Sequence, residues 1–452
     1  MRVIKQPTIL LLLTMSLVSV HQVSTAQEST ITRFTLDEAI TYGLENNQNA
    51  RNARLEEKIA DRKVEEILAD GLPQVNANVD IGYNYEIPTV FLPGNAFDPN
   101  GNADETVGAK FGTNYTGSLG LSANQMLFDG TFFIGLKAAR TFTQLSRKDN
   151  IKTKIDIAEA VSKAYFGVLV NRERYGLVER NYARLDSLLR DTKIMYENGF
   201  AEKIDVNRVQ VQFNNMKVEK DNFQQMLDVS ESLLKFQMGM NLSSQIELAS
   251  SIEEIDYFNF ELVKDFAYEQ RIEYSQMNIR KELNQLDIRN VQSGYIPKLD
   301  AYASYGRNIG TQEFGDVFSG NWAGVGVIGV KASMPIFDGM RKRRQVQQRK
   351  LTAEQIDNSF DMLKYNIDLE IQQALASYQR EIEMMQAQRV NMELAQEVYE
   401  VTKIKYNEGI GSNIEVIDAD ATYKQSQINY YNALFDALIS KIDLQKAYGI
   451  LL

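Results

Sequence analysis

Four segments of the chain alternate apolar and polar residues. Within residues 73–86 nearly every odd position is apolar and nearly every even one is polar, and residues 115–127 continue the pattern. Residues 297–306 and 322–336 carry it less purely. A period of two is typical of a strand with one apolar face. The sequence therefore predicts four such strands.

Two further stretches, residues 131–195 and 340–405, contain no Pro and almost no Gly. At 1.5 Å per residue, each predicts a helix of roughly 100 Å. Apolar positions from Phe360 to Met385 recur every three or four residues, so this face needs packing partners along its length. Shorter helices, two of which laid end to end match one long helix, are predicted at residues 36–70, 203–239, 262–294 and 413–449.

The borders of the long helices carry the expected capping residues. Asp129 and Asp338 follow a Phe and precede a Gly, where a carboxylate caps the free amides of a first helical turn. Gly199 and Gly409 suit a left-handed helix stop. Each long helix is therefore expected to reverse sharply at its far end.

These landmarks occur twice in the same order, which predicts two internal repeats. The recurring elements are an apolar-Pro pair at Leu72 and Ile296, Phe-Asp-Gly at 128–130 and 337–339, and a Tyr three residues before Gly at Tyr196 and Tyr406. We assign repeat 1 to residues 27–240, an equatorial connector to 241–260 and repeat 2 to 261–452. Extra residues at 88–113, rich in Gly, Pro, Asn and Asp, predict a loop insertion.

The first 26 residues have the composition of a secretory signal peptide. Arg2 and Lys5 precede an apolar stretch at residues 8–20, and small residues lie before Gln27. We find no other apolar stretch near the roughly 20 residues that a membrane-spanning helix needs. Any membrane-embedded part must therefore consist of strands.

Composition excludes several classes of chemistry. The chain has no Cys, and its one His is His21, within the leader. Cysteine nucleophiles, disulfides, a bacterial lipid anchor, Cys/His zinc sites and Ser-His-Asp triads are therefore ruled out. The net charge of −11 argues against nucleic acid as a partner. We expect no cofactor, no metal and no enzymatic activity.

Four strands cannot close a barrel, and lipid does not tolerate an open sheet edge. Two copies would give eight strands around a filled interior, whereas three would give twelve around a lumen lined by the polar faces. The alternative is a soluble β-sandwich attached to a helical stalk. We favour a mixed α and β membrane protein that oligomerises.

The doubled plan, the paired Phe-Asp-Gly and apolar-Pro landmarks, and the segment Tyr-Asn-Glu-Gly-Ile-Gly-Ser-Asn-Ile-Glu-Val-Ile-Asp-Ala at 406–419 together resemble the TolC-type outer-membrane efflux protein family. The resemblance covers residues 35–452. It implies a homotrimer that shares a twelve-stranded barrel in outer-membrane lipid, continuous with a coiled-coil periplasmic tunnel. It also implies a periplasmic adaptor and an inner-membrane pump of the resistance-nodulation-division or ATP-binding-cassette type.

The resemblance also assigns a periplasmic gate. Members of the family often carry a Tyr before the turn Gly and two acidic residues on the next helix, which correspond here to Tyr406, Glu415 and Asp418. Glu415 has an alternative role, because Ser412 to Glu415 has the sequence of a capping box. Gly411 stands where some members have a basic residue, so an Arg-based lock of the closed state is not expected.

Repeat 1 has partial equivalents of these residues. Tyr196 and Asp205 match the gate positions, whereas Arg208 stands where repeat 2 has an Asp, so the acidic ring need not be doubled. The resemblance places the contact with the adaptor at the tips around Gly199 and Gly409.

Two other patterns are not interpreted as sites. Residues 324–329 match G-x-G-x-x-G but lie within a predicted strand, and the basic run 341–344 lies in an acidic protein. The function that we predict is a passive exit duct for drugs or other small molecules. A duct for type I protein secretion and a structural envelope-spanning rod remain the alternatives, and the sequence does not identify the exported substrate.

Overall fold

The computed structural model describes residues 32–96, 102–252 and 266–452. The predicted signal peptide, 1–26, and part of the predicted connector lie outside these residues. The helices are α1 (Leu36–Asn46), α2 (Gln48–Ala69), α3 (Gly130–Glu197), α4 (Lys203–Met238), α5 (Ile272–Ser293), α6 (Asp316–Ser319), α7 (Arg341–Asn407) and α8 (Asn413–Tyr448). The strands are β1 (Thr32–Phe34), β2 (Gln74–Tyr83), β3 (Thr89–Pro93), β4 (Thr106–Lys110), β5 (Tyr115–Phe128), β6 (Ile246–Leu248), β7 (Lys298–Thr311) and β8 (Ala323–Ser333).

The two long helices have 68 residues (α3) and 67 residues (α7). Helices α2 and α5 pack against the half of α3 that is nearest the sheet, and α4 packs against its far half. Helix α7 packs against α5 and α8. The largest apolar cluster lies where α1, α3, α4 and α8 meet, around the buried side chains of Tyr165, Leu234 and Leu438. Shorter helices thus accompany both long ones, and α5 and α8 contact both of them.

Residues 36–70 form two helices instead of the single predicted one. Asn47 has an extended backbone, with ψ at 136°, and its side chain accepts a hydrogen bond from the Asn49 N–H at 2.8 Å. Its amide also donates to the Gln237 carbonyl at 2.7 Å. This bond joins the break between α1 and α2 to the end of α4, a contact that no local sequence pattern predicts. The predicted helix 262–294 likewise begins only at Ile272 within the described residues.

The capping prediction holds most simply in repeat 1. Asp129 precedes α3 and accepts a hydrogen bond from the Thr131 N–H at 2.8 Å. In repeat 2, α7 begins after Met340, whose φ is +66°, and Asp338 accepts from the Lys342 N–H at 3.2 Å.

Both halves of the chain contribute to one antiparallel sheet, in the order β2-β5-β7-β8. Its register puts Val75, Ala123, Ala303 and Ile328 side by side. One side of the sheet therefore carries the odd-numbered residues of β2, of β7 and of β5 up to residue 125, together with the even-numbered residues of β8. We call this side the apolar face. The opposite side, the polar face, carries mainly Asn, Ser, Thr and Gly on β2 and β5. Strands β2 and β8 are the two edges.

Two features of the sheet region were not predicted. The expected loop insertion contains a hairpin of β3 and β4. A short parallel pair, β1 with β6, joins the start of the described chain to the segment after α4. No helix within residues 32–96, 102–252 and 266–452 has both the length and the apolar character needed to cross a membrane.

Candidate functional site

The two long helices end in two separate turns that have the same geometry. At the end of α3, the N–H of Phe200 donates to the Met195 carbonyl at 2.8 Å, and φ of Gly199 is +80°. At the end of α7, the N–H of Ile410 donates to the Lys405 carbonyl at 2.9 Å, and φ of Gly409 is +75°. Positive φ favours Gly, so these turns follow directly from the sequence.

We call the two turns together the tip. Each turn presents one large apolar side chain, because Phe200 and Ile410 are both 82% exposed. Apart from the glycine and its chain neighbours, no described heavy atom lies within 4 Å of a Cβ built at Gly199 or Gly409. Isolated exposed apolar residues are ordinary, but these two occupy equivalent positions in the two turns.

Gly411 also has a local explanation. Its N–H donates to the Lys405 carbonyl at 3.1 Å, and a Cβ at this position would lie 3.2 Å from the Tyr406 nitrogen. A side chain at Gly411 would therefore require the turn to shift. The tight turn accounts for Gly at this position, where some members of the resembled family have a basic residue.

Tyr406 joins the two halves of the chain. Its hydroxyl lies 3.8 Å from Sδ of Met195 on α3, and its ring packs against the cluster of Tyr399, Val416 and Ala419. Burial, followed by the negative charge of Asp205, raises the pKa of Tyr406. The phenol therefore stays neutral at physiological pH.

Glu415 and Asp418 lie on the exposed side of α8. Val416, Ala419 and Asp420 are buried on the other side of the same helix. Residues three apart share a helix face, so the two carboxylates project together. Neither carboxylate has a hydrogen bond or ion pair with any residue that the structure describes.

The capping-box interpretation of Glu415 is wrong. Ser412 is the residue before α8, but its side chain makes no capping hydrogen bond, and Glu415 contributes only its backbone N–H to the Ser412 carbonyl at 3.2 Å. The exposure of Glu415 is therefore not explained by capping.

The corresponding residues of repeat 1 differ. Tyr196 is exposed on the tip. Asp205 accepts a hydrogen bond from the Glu202 N–H at 3.2 Å and lies 3.6 Å from the guanidinium of Arg208. Asp205 thus caps α4 and has a basic neighbour. The structure brings Asp205 close to Tyr406, but it does not leave this carboxylate free as it leaves Glu415 and Asp418.

An ion pair between Arg184 of α3 and Asp420 of α8 was not predicted from the sequence. The Arg184 guanidinium carbon lies 4.6 Å from the centroid of the Tyr399 ring and 5.8 Å from that of Tyr423. Burial raises the pKa of Asp420 despite the positive charge of Arg184. A polar residue on the buried stripe of Val416, Asp420 and Tyr423 was the available indication in the sequence.

A second ion pair, between Lys424 of α8 and Glu219 of α4, lies nearby. Both pairs border a cavity of 240 Å³ between α3, α4 and α8, which Leu185 and Met216 also line. The two pairs therefore hold α8 against both α3 and α4.

The described residues at and beside the tip carry carboxylates, phenols and apolar side chains, together with the amines of Lys203 and Lys405. In the described part of the chain, no three acidic or His residues form a group that could hold a metal ion. The arrangement can present a charged ring or a binding surface.

Comparison with known proteins gives one consistent result. The model of a family described as outer membrane efflux protein matches residues 40–239 and 267–450. The outer membrane protein TolC of Vibrio cholerae is 21% identical over 340 residues, which cover 74% of this chain and 77% of that protein. The probable efflux pump outer membrane protein TtgC of Pseudomonas putida is 21% identical over 351 residues, 77% of this chain and 72% of its own length.

Solved structures show the same fold. The outer membrane protein VceC of Vibrio cholerae superposes with a TM-score of 0.67 at 15% identity, covering 92% of this chain and 96% of VceC. The open state of the MtrE outer membrane channel of Neisseria gonorrhoeae gives 0.70 at 16% identity, covering 92% and 88%.

Proposed function

The chain belongs to the outer membrane efflux protein family, and we propose that three copies form the exit duct of a tripartite system that expels drugs or other small molecules. Membership confirms an outer membrane efflux channel without an enzymatic step, located in the bacterial outer membrane with a periplasmic part. The trimer, the number of barrel strands, the partners, the gate and the class of substrate are our proposals.

The observation that carries the proposal is the open sheet. Strands β2 and β8 have no partner on their outer edges among the described residues, and the sheet has one apolar face. Lipid contains no water to satisfy edge amides and carbonyls, so such a sheet must close. Successive strands alternate in direction, so β8 of one copy can pair antiparallel with β2 of the next. Three copies give twelve strands and leave a lumen.

The helices extend this opening away from the membrane. The chain passes directly from α2 and α5 into strands, and from a strand into α3. A closed ring of sheets therefore brings the long helices of each copy into a ring as well. Helices of about 68 residues reach roughly 100 Å, enough for a periplasmic tunnel. The polar face, which includes Asn76, Asn78 and Ser122, would line the membrane part of the lumen.

We propose that the gate lies at Tyr406, Glu415 and Asp418. A threefold axis would gather six exposed carboxylates into a ring, which favours cations and disfavours anions. Tyr196 and Asp205 are the repeat 1 counterparts, but the cap at Asp205 and the neighbouring Arg208 argue against a second ring. Energy would come from an inner-membrane pump of the resistance-nodulation-division or ATP-binding-cassette type.

The tip is the proposed contact with a periplasmic adaptor. Gly199 and Gly409 set the turns, and Phe200 and Ile410 supply exposed apolar surface at equivalent positions. Two similar apolar projections per chain would give six around a trimer. This arrangement suits a partner that binds with threefold or sixfold repetition.

The proposed function is tested with the purified protein and with a deletion strain. We expect a trimer that resists dissociation in detergent until heated, ion conductance in planar bilayers, and greater drug susceptibility of the deletion strain. A monomer without conductance would contradict the duct. Unchanged drug susceptibility with loss of a secreted protein would instead support type I protein secretion.

A further inference from the structure

Arg307 is the single charged residue on the apolar face, every position of which is described. It lies on β7, where its neighbours across the two ladders are Leu119 of β5 and Gly324 of β8. The side chain is exposed. On a barrel surface, an Arg facing lipid costs about 2–4 kcal/mol at the midplane and about 0–1 kcal/mol near an interface. Its position therefore requires a physical explanation.

Arg307 has no ion pair or hydrogen bond with any described residue. Closure of the proposed barrel would not supply a carboxylate on this face either. The strand that would pair with β8 is β2, whose apolar face offers only Val, Ala, Ile and the hydroxyl of Tyr83. The acceptor for the guanidinium must therefore come from outside the sheet.

A second polar group lies beside Arg307. The Tyr305 hydroxyl lies 3.8 Å from a Cβ built at Gly324, and apart from Gly324 and its chain neighbours it is the one described heavy atom within 4 Å of that point. Gly324 is directly opposite Arg307 in the ladder. The missing side chain at Gly324 thus leaves open surface between a guanidinium and a phenol, both of which are hydrogen-bond donors.

The depth of this site follows from the surrounding aromatic residues. Arg307 lies nearer to Thr311, at the end of β7 away from the long helices, than to Lys298. Above it, α6 packs on the apolar face, and Ile309 is buried there. The aromatic residues at this end are Tyr83, Tyr115, Phe314, Phe318 and Trp322. Such aromatic residues mark a membrane interface.

We propose that Arg307 and the Tyr305 hydroxyl bind a phosphate on the head group of an outer-leaflet lipid. An Arg guanidinium matches phosphate oxygens with two parallel hydrogen bonds, and the phenol adds a third. Gly324 provides the space for the phosphate. The inference rests on the barrel arrangement proposed above, because that arrangement assigns the apolar face to lipid and the α6 end to the outer leaflet.

The test is native mass spectrometry of the detergent-purified protein titrated with bisphosphorylated lipid A. We expect Arg307→Gln to weaken retention about tenfold and Tyr305→Phe to weaken it less. Lys331→Gln is the matched control, since it removes one positive charge from the polar face of the same sheet. This control should retain lipid A like the wild type. Inorganic phosphate at the same concentration should not displace the lipid.

Equal retention by the wild type and Arg307→Gln would overturn the inference, and so would equal loss in the Lys331→Gln control. Displacement by inorganic phosphate would do the same, because it would indicate an anion site without a lipid component. Bilayer conductance separates this inference from the proposed function. A failure confined to the lipid site leaves wild-type conductance intact, whereas a failure of the duct removes conductance itself.

Discussion

Arg184 of α3 and Asp420 of α8 form a partly buried ion pair that joins the long helix of the first half of the chain to the last helix of the second. Tyr399 of α7 stacks beneath the guanidinium, so three helices meet at this pair. The pair lies one turn from Val416 and close to the exposed Asp418. It therefore fixes the position of the helix face that carries the proposed gate.

Replacing Asp420 with Ala should destabilise the protein. The change leaves the Arg184 guanidinium, whose side chain is 23% exposed, without its carboxylate, and we expect a loss of about 2–3 kcal/mol in the free energy of unfolding. The double variant Arg184→Leu/Asp420→Leu should recover much of this loss. Denaturant unfolding of the wild type, Asp420→Ala, the two single Leu variants and the double Leu variant measures both effects. If the losses in the single variants add up to the loss in the double variant, the two side chains contribute no coupling free energy.

Replacing both Glu415 and Asp418 with Ala should reduce cation preference. The two carboxylates are exposed and have no partner in the described chain, so they are free to act on ions in the lumen. Reversal potentials and block by multivalent cations in planar bilayers measure the effect. Glu408→Ala, at the end of α7, is the control. Unchanged selectivity and block in the double variant would remove the proposed ring.

Replacing Phe200 and Ile410 with Glu should abolish efflux without unfolding the protein. Both side chains are 82% exposed, so charge at these positions changes the tip surface and leaves the core intact. Drug susceptibility and crosslinking to the adaptor measure the effect. Val229, also exposed but on α4 away from the turns, provides the control substitution. Normal efflux and crosslinking in the double Glu variant would contradict the docking proposal.

Replacing Glu159 with Gln should destabilise the protein in a pH-dependent way. Burial disfavours the charged carboxylate, but hydrogen bonds from Lys163 and Lys446 outweigh burial and lower the pKa of Glu159 below its usual 4.5. A lowered pKa contributes stability above the usual value, and that contribution is lost as the pH falls through the folded-state value. At pH 7 the midpoint of thermal unfolding of Glu159→Gln should therefore lie below that of the wild type. In acid the two midpoints should converge. A constant difference would contradict this cause.

Replacing Gly239 with Ala should destabilise the region where α1, α2 and α4 meet. The φ of Gly239 is +72°, and a Cβ there would lie 2.6 Å from Cα of Asn47. We expect a loss of at least about 2 kcal/mol in the free energy of unfolding, from strain and overlap together. Gly176→Ala is the control, because Gly176 is helical and its nearest contact is 3.5 Å away. That substitution should be neutral or stabilising.

The elements of this protein follow from local patterns. Alternation around Val75 and Val79 predicts the strands, the absence of Pro from 340–405 predicts α7, and Gly199 and Gly409 predict the turns. Each feature depends on neighbouring backbone geometry, which a sequence encodes directly. The hairpin of β3 and β4 was missed because Gly and Pro in the insertion indicate turns without showing which residues pair.

The sequence by itself determined the long helices, the amphipathic strands, the sharp turns and the absence of Cys and His chemistry, because each depends on residue type and spacing alone. Tertiary structure decided which surfaces meet. The break at Asn47, the contact of Tyr406 with Met195, the pair of Arg184 with Asp420 and the lone charge of Arg307 on the apolar face all depend on residues far apart in the chain. Their proximity is set by how α8 packs against α3 and how β7 lies between β5 and β8, and no local period contains that information.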